Sequence, residues 1–336
     1  MTSPAVDFCY VPGGPVAEVA ALAALGERLG FRCLWIPDQG FFRDPFLLAA
    51  AAAAATSTIG IGIGITMPVT RHPVQIARAA ATLDEMSGGR LRLGLGSGNM
   101  EHVVRPLGMP ADDPAGRVRA AAEQIAALLR GESVRYAPEP LAAVRLDIDP
   151  ARVPPLYVGG RGPRMLETAG AVADGVLLES LFHGSGLEHA LERVRHGRAT
   201  RADPPAMDVV AWQVVVVTDR PEREIEAYRP WIARILRGGP VSALLRIGVA
   251  EETVHAVRAA GDEAAALAAV TDDAVRCLVM LDDPAGIAER FGALARRGCT
   301  AVCVLSTTGF AETAENLTRI GTTVLPALAG PTPGGA

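Results

Sequence analysis

The residues that could carry out chemistry in this chain directly follow short apolar runs. Cys9 and Tyr10 end the first run, Asp38 and Gln39 follow the second, and Thr66 follows the third. Glycines are frequent among the candidates at the ends of the later apolar runs. The remaining candidates are Gly64, Ile65, Gly96, Gly98, Asn99, Gly160, Arg161, Gly162, Pro163 and Glu179. This set is polar and glycine-rich, with few ionisable groups. It indicates a site that orients a cofactor, since a cofactor brings its own reactive atoms.

One loop in this set has a composition typical of anion binding. Gly160, Arg161, Gly162 and Pro163 lie between a predicted strand and a predicted helix. Glycines at a helix start let backbone N–H groups approach a phosphate, and the helix dipole favours the anion. An ordinary strand-to-helix turn also uses glycine, with proline at the first helical position. The loop therefore predicts either a phosphate site or a plain turn.

The third apolar run, residues 59–65, alternates isoleucine with glycine. Glycine inside a strand often marks a bulge or a close approach of a ligand to the backbone. In a closed barrel, the same glycines would leave space for large side chains on neighbouring strands. Both interpretations remain open from the sequence.

Several other chemistries are disfavoured. All 32 basic residues are arginine, which excludes a Schiff-base lysine and a P-loop lysine. The glycine patterns at 60–64 and 94–98 are GxGxG and do not fit a dinucleotide-binding unit. The histidines at 183, 189 and 196 do not share a helical face, so no metal site is expected. A net charge of −5 provides no basic surface for nucleic acid.

The elements that must position the candidates alternate between strands and helices. Strands are predicted at 6–10, 33–36, 59–65, 91–95, 156–159, 175–178, 209–217 and 301–305. Eight strand–helix alternations predict an α/β fold, a (β/α)₈ TIM barrel, in which the active site lies at the carboxyl ends of the strands. A helical insertion at about 240–296 is predicted between strands seven and eight, and a loop insertion at about 130–154.

We expect a single domain over residues 1–330 and a disordered tail at 331–336. The first ten residues lack the pattern of a signal peptide, and the longest apolar run is too short to cross a bilayer. Five cysteines without a CxxC motif are typical of reduced thiols. These features predict a cytoplasmic protein without membrane contact.

Four sequence blocks together resemble the bacterial-luciferase-like superfamily of flavin and deazaflavin barrels. They are GFRCLWIPD at 30–38, TSTIG at 56–60, TRHP at 70–73 and TLDEMSGGR at 82–90. A fifth block, PLYVGGRGPRMLETAG at 155–170, is similar to the branch that depends on coenzyme F420, and most similar to methylenetetrahydromethanopterin reductases. The resemblance spans the whole chain.

The resemblance implies a deazaflavin across the barrel mouth, backed by a strand-three bulge with a non-prolyl cis peptide. In this chain that bond would join Gly64 and Ile65. The resemblance also implies that Asp38 and its neighbour lie beside the ring, and that the cofactor phosphate lies near Gly160–Pro163. Family members are usually homodimers, act on small molecules and receive reduced cofactor from a separate system.

Two positions depart from the family pattern. Gln39 stands where a histidine is frequent, and Cys9 appears where the methanopterin enzymes have a glutamate. A glutamine does not titrate at neutral pH, and a thiol is a poor substitute for a carboxylate. These two departures disfavour methanopterin as the substrate. The resemblance predicts an F420-dependent oxidoreductase that moves a hydride to or from a C=N or C=C bond, with catalytic Asp38 and Gln39. The alternatives are an FMN-dependent monooxygenase and a barrel that binds a flavin or deazaflavin without turnover.

Overall fold

The computed structural model describes residues 3–11, 13–136, 143–148, 150, 152–179 and 185–329. The predicted tail at 331–336 lies outside the described residues, and the boundaries of the single domain stay a prediction. The strands are β1 Ala5–Tyr10, β2 Cys33–Ile36, β3 Gly60–Thr66, β4 Leu91–Leu95, β5 Val134–Arg135, β6 Ala143–Val144, β7 Leu156–Gly159, β8 Gly175–Leu178, β9 Asp208–Val217, β10 Val279–Asp282 and β11 Ala301–Ser306.

Eight of these strands form the predicted parallel barrel. The order runs β9-β11-β1-β2-β3-β4-β7-β8, and pairing of β8 with β9 closes the ring. The TIM-barrel prediction is thereby confirmed. β5 and β6 form a separate antiparallel hairpin within the predicted loop insertion.

The strand β10 is not among the strands predicted from the sequence. It pairs in parallel with the second half of β9, from Val214 to Val217, beyond the point where β8 stops pairing. From the sequence, the helix after it, residues 284–296, is predicted to belong to the insertion. In the structure its side chains Ile287, Phe291 and Leu294 belong to the main core, so this helix is part of the outer layer of the barrel.

The helices lie outside the strands or in the insertion. They are α1 Val16–Leu29, α2 Pro45–Ala54, α3 Pro73–Met86, α4 Pro114–Leu129, α5 Pro163–Val172, α6 Ser185–Arg198, α7 Pro221–Gly238, α8 Val241–Arg246, α9 Glu251–Ala259, α10 Glu263–Ala269, α11 Asp272–Leu278, α12 Pro284–Arg296, α13 Phe310–Arg319 and α14 Leu325–Ala329. Asp44 and Asp283 cap α2 and α12 by accepting backbone N–H bonds, and proline follows each of them at the first helical position. None of the helices among the described residues is both long and apolar enough to cross a membrane.

Large side chains fill the barrel opposite the glycines of β3. A Cβ atom on Gly62 would lie 2.3 Å from the Trp35 ring, and one on Gly60 would lie 1.9 Å from the Arg92 guanidinium. The glycines therefore make room for neighbouring side chains, as one of the two interpretations of this strand requires. Alternate strand residues that point inward form an interior cluster: Cys9, Cys33, Trp35, Tyr157, Leu177, Val210, Trp212, Ala301 and Cys303.

An ion network occupies the N-terminal end of the barrel. Arg32 donates to both oxygens of Asp7, each at 2.7 Å, and to Asp208 at 2.9 Å. Trp35 Nε1 also donates to Asp7, at 2.8 Å, and the Tyr157 hydroxyl donates to Asp208 at 2.8 Å. Burial disfavours a charge on Asp208, but Arg32 and the donated hydrogen bonds outweigh it and hold the pKa of this carboxyl below its ordinary value.

Candidate functional site

The C-terminal end of β3 is irregular where the sequence predicts a bulge. The Gly64–Ile65 peptide bond is cis, and the pairing of β3 with β4 shifts register between Ile63 and Thr66. The Asp38 backbone N–H donates to the Ile65 carbonyl at 3.0 Å, which ties the end of β2 to this bulge. The predicted cis bond and bulge are both confirmed.

The Ile65 side chain lies among three glycines of neighbouring strands. Cβ atoms added to Gly96 and Gly159 would lie 2.9 and 2.8 Å from its side-chain carbons, and one on Gly94 would lie at 3.3 Å. Any larger residue at Gly96 or Gly159 would displace Ile65. Glycine at the ends of β4 and β7 is therefore required by packing against the bulge.

Asp38 is bonded within the protein on both sides of its carboxylate. One oxygen accepts from the buried Thr66 hydroxyl at 2.9 Å, and the other accepts from the Gly40 backbone N–H at 3.1 Å. The carboxylate thus holds the turn after β2 and the strand after the bulge. Its predicted catalytic role stays a prediction.

The loop that follows Asp38 presents two phenyl rings to solvent. Phe41 is 63 % exposed and Phe42 is 54 % exposed, and Gln39 before them is also exposed. Arg43 anchors the loop by donating to the Gly13 carbonyl at 3.2 Å. An anchored loop with exposed aromatic rings at a barrel mouth is typical of a ligand-binding surface. Neither ring is among the site residues predicted from the sequence, although the Phe-Phe pair directly after Gln39-Gly40 is a visible signal.

The predicted phosphate loop has an open helix start. No side chain caps α5 at Gly162, and a Cβ atom on Gly162 would meet no atom within 4 Å. Pro163 is the first residue of the helix and has no N–H, so Arg164 and Met165 provide its first free amides. Gly160 is different, because a Cβ atom there would lie 2.3 Å from the Met165 side chain.

Arg161 is part of an ion pair between strand ends. Its guanidinium contacts Glu179 after β8, with N–O distances of 2.5 and 2.7 Å. Both side chains are partly exposed, so this pair contributes little to stability. The structure therefore brings the predicted cofactor residue Arg161 and the predicted substrate residue Glu179 together.

Cys9 and Tyr10 point in opposite directions, as alternate strand residues must. Cys9 is fully buried inside the barrel, where burial, together with the charge of Glu179, raises the pKa of its thiol. Tyr10 belongs to the core between strands and helices, and its hydroxyl donates to Glu18 at 3.0 Å. Burial and this bond raise the pKa of Tyr10 to about 12. The structure thus places Cys9 on the barrel interior and Tyr10 on the helix side; their substrate contacts stay predictions.

Gly98 and Asn99 shape the turn after β4. Gly98 has φ 71°, and a Cβ atom there would lie 1.9 Å from Met67 Sδ. The Asn99 side chain accepts from the His102 backbone N–H at 3.1 Å and begins the π-helical turn Met100–Val104. Both residues have local structural roles at the mouth, beside the bulge.

Several known proteins are similar to this chain in sequence and fold. The family model described as luciferase-like monooxygenase matches residues 2–301. The 5,10-methylenetetrahydromethanopterin reductase of Archaeoglobus fulgidus is 31 % identical over 329 residues, which are 95 % of this chain and 98 % of that enzyme. The F420-dependent glucose-6-phosphate dehydrogenase of Nakamurella multipartita is 32 % identical over 259 residues, covering 70 % of this chain and 75 % of that protein.

Among solved structures, the coenzyme F420-dependent tetrahydromethanopterin reductase of Methanopyrus kandleri superposes with a TM-score of 0.81. The match has 28 % sequence identity and covers 98 % of this chain and all of that one. The family model and the reductase of A. fulgidus each extend over most of the chain. This chain belongs to the luciferase-like monooxygenase family.

Proposed function

We propose that this protein is an F420-dependent oxidoreductase that moves a hydride between the deazaflavin and a C=N or C=C bond of a small organic substrate. The observation that carries this proposal is the near full-length similarity to the coenzyme F420-dependent tetrahydromethanopterin reductase of M. kandleri. When bound, the deazaflavin supplies a two-electron hydride donor or acceptor. The protein supplies binding, orientation and exclusion of water.

The residues at the barrel mouth fit such a cofactor. The free amides at the start of α5 and the open space over Gly162 suit a phosphate group, which helix N-termini bind. The half-buried Ile65 provides an apolar surface beside them. We propose that Ile65 backs the ring, that Gly160–Pro163 binds the phosphate, and that Thr66, Gly96, Gly98 and Asn99 complete the cofactor pocket.

Asp38 and Gln39 have different roles in this proposal. Asp38 holds the bulge and the following turn through Thr66 and Gly40, so it fixes the position of the surface that the cofactor meets. Gln39 is exposed beside the phenyl rings of Phe41 and Phe42 and contacts the substrate through its amide. The exposed rings favour a substrate with an apolar group next to the reducible bond.

Parallel titrations with F420 and FMN test the proposal. F420 is expected to bind with a Kd in the micromolar range or lower, and FMN at least tenfold more weakly, which is ~1.4 kcal/mol. Equal or tighter binding of FMN would indicate the FMN-dependent monooxygenase instead. Tight F420 binding without reoxidation of the reduced cofactor by any electrophile would indicate a barrel that binds without turnover.

We also propose that the protein is a cytoplasmic homodimer that receives reduced cofactor from a separate enzyme system. The five cysteines are free thiols, which suits a reducing compartment. Sedimentation at micromolar protein concentration tests the dimer.

A further inference from the structure

A groove of about 180 Å³ lies on the outer side of the barrel, away from the mouth. It opens where β9 changes neighbours: β9 pairs with β8 as far as Ala211 and with β10 from Val214 onward. Between these points, Trp212 points into the barrel interior and Gln213 points outward into the groove. The groove is therefore separate from the proposed cofactor pocket.

The walls of the groove come from two different cores. Leu278 and Val279 belong to the core of the helical insertion, whereas Met280 and Leu294 pack with the main core of the barrel. Ala293 of α12 completes the apolar lining. A seam between two packed units is a frequent place for small-molecule sites.

Gln213 at the base of the groove has an unsatisfied hydrogen-bonding group. Its side chain is 1 % exposed, and its Nε2 atom is buried without a hydrogen-bond partner. Buried polar groups in folded proteins nearly always have partners. A buried N–H donor that lines a cavity is available to an acceptor that enters the cavity.

The charged groups around the groove are arginines. Arg290 pairs with Asp282 at 3.3 Å, and Arg297 pairs with Glu188 at 2.7 Å. Arg276 contacts no carboxylate within the part of the chain that the structure describes. Cys277 also lines the groove, and burial followed by the charge of Asp273 raises the pKa of its thiol, so it adds no negative charge. Two of the three arginines are therefore balanced by carboxylates, and Arg276 and Gln213 Nε2 remain as donors for an acceptor in the groove.

We propose that this groove is a second ligand site, which binds a small organic anion with an apolar body. The carboxylate or equivalent group accepts from Gln213 Nε2 and from the arginines, and the body lies against Leu278, Val279 and Leu294. Such a ligand joins the insertion to the barrel and stabilises the contact between them. The site does not depend on the proposed oxidoreductase function.

Benzoate and benzamide test this proposal, because they share a shape and differ in charge. In ligand-observed NMR with the full chain, benzoate is expected to bind saturably and benzamide at least tenfold more weakly. Inorganic phosphate is expected to compete poorly, since it leaves the apolar walls without a partner. Equal binding of benzamide, or equal competition by phosphate, would overturn the proposed ligand class.

Three variants place the binding in the groove. Gln213→Leu removes the unpaired amide at similar size, and Arg276→Gln removes the arginine that has no carboxylate partner; each is expected to weaken benzoate binding at least fivefold. Arg296→Gln is the matched control, because Arg296 is exposed on the same helix as Arg290 but does not line the groove. Gln213→Leu is expected to keep the thermal midpoint of the native protein, which shows that it folds. Unchanged benzoate affinity in folded Gln213→Leu would refute the site.

Discussion

Inside the N-terminal end of the barrel, Arg32 bridges two carboxylates, whereas inside the C-terminal end the strands present glycine, isoleucine and a neutral thiol. The N-terminal groups bind one another and leave no role for a ligand. At the C-terminal end there is open space over Gly162, and the backbone amides at the start of α5 have no capping side chain. The difference separates the end that stabilises the barrel from the end at which TIM barrels bind their ligands.

The block TLDEMSGGR at 82–90, one of those that carry the family resemblance, belongs to the stabilising end. Asp84 of this block accepts two bonds from Arg152, at 3.0 and 3.1 Å. Arg90 donates to four backbone carbonyls, among them those of Ala53 and Ile59. This block therefore identifies the fold through its internal bonds and carries no information about the substrate.

Removal of the bridging cation is expected to have the largest effect. Arg32→Met leaves the fully buried Asp7 and the partly buried Asp208 without Arg32 between them and should lower the free energy of unfolding by about 3–5 kcal/mol, the usual cost of breaking a buried ion pair. Denaturant titration measures the loss, and Arg119→Met on an exposed face of α4 is the control. F420 affinity of the folded fraction should stay unchanged; a large loss of affinity would show that the two ends are coupled.

Glycine replacement at the mouth should affect binding and stability together. A Cβ atom on Gly159 would lie 2.8 Å from Ile65, so Gly159→Val pushes this side chain out of place. We expect F420 affinity to fall at least tenfold and the free energy of unfolding to fall by ~1–3 kcal/mol, as overpacking usually costs. Fluorescence titration and thermal melts measure the two effects. Native affinity in this variant would show that Ile65 does not back the ring.

Acid should weaken the ion network at the N-terminal end of the barrel. Arg32 keeps the pKa of Asp208 below that of an unfolded aspartate, which is ~3.9. The stabilisation is therefore complete above the unfolded pKa and is lost as the pH falls through the folded pKa. Unfolding free energies measured between about pH 6 and about pH 3 should decrease with acid. Arg32→Met should flatten this dependence, and an equally steep dependence in the variant would contradict the assignment.

The features predicted from the sequence are those set by local pattern. Alternation of apolar runs predicts the barrel, and the glycine-rich third run with the family resemblance predicts the Gly64–Ile65 bond and the bulge. The strand β10 is four residues long, follows a helix directly, and pairs with Val214–Val217, so no local pattern indicates it. The ion network joins residues 7, 32 and 208, which only the closed barrel brings together.

Close packing also changes one expectation about β3. From the sequence, Gly64→Val would affect cofactor affinity far more than stability. In the structure, a Cβ atom on Gly64 would lie 2.9 Å from both Trp35 and Trp212, so the variant should lose stability as well. The contacts that decide this come from strands β2 and β9 and cannot be inferred from β3 alone.

Gly162→Val is expected to separate binding from folding. Gly162 has φ −77° and ψ 149°, which valine adopts readily, and a Cβ atom there meets no neighbour. Stability should stay within about 0.5 kcal/mol of the native protein. Affinity for F420 should fall several-fold because the added methyl groups occupy the space over the α5 amides. Gly160→Ala is the matched comparison. Its added methyl group would overlap the Met165 side chain, so this variant should lose stability. Full F420 affinity in Gly162→Val would exclude this loop as the phosphate site.

The smallest expected effect concerns Gln39, the exposed amide at the mouth. Its side chain does not titrate, so the native rate of hydride transfer should not depend on the ionisation of this residue. Gln39→His introduces an imidazole whose pKa in an exposed position is ~6.5. We expect the variant to keep its fold and F420 affinity, while its rate gains an inflection near that pH. Rates measured across the neutral range with one electrophilic substrate test this, with Gln39→Asn as the control that cannot titrate. If Gln39→His and Gln39→Asn have the same pH profile, Gln39 does not contact the reacting part of the substrate.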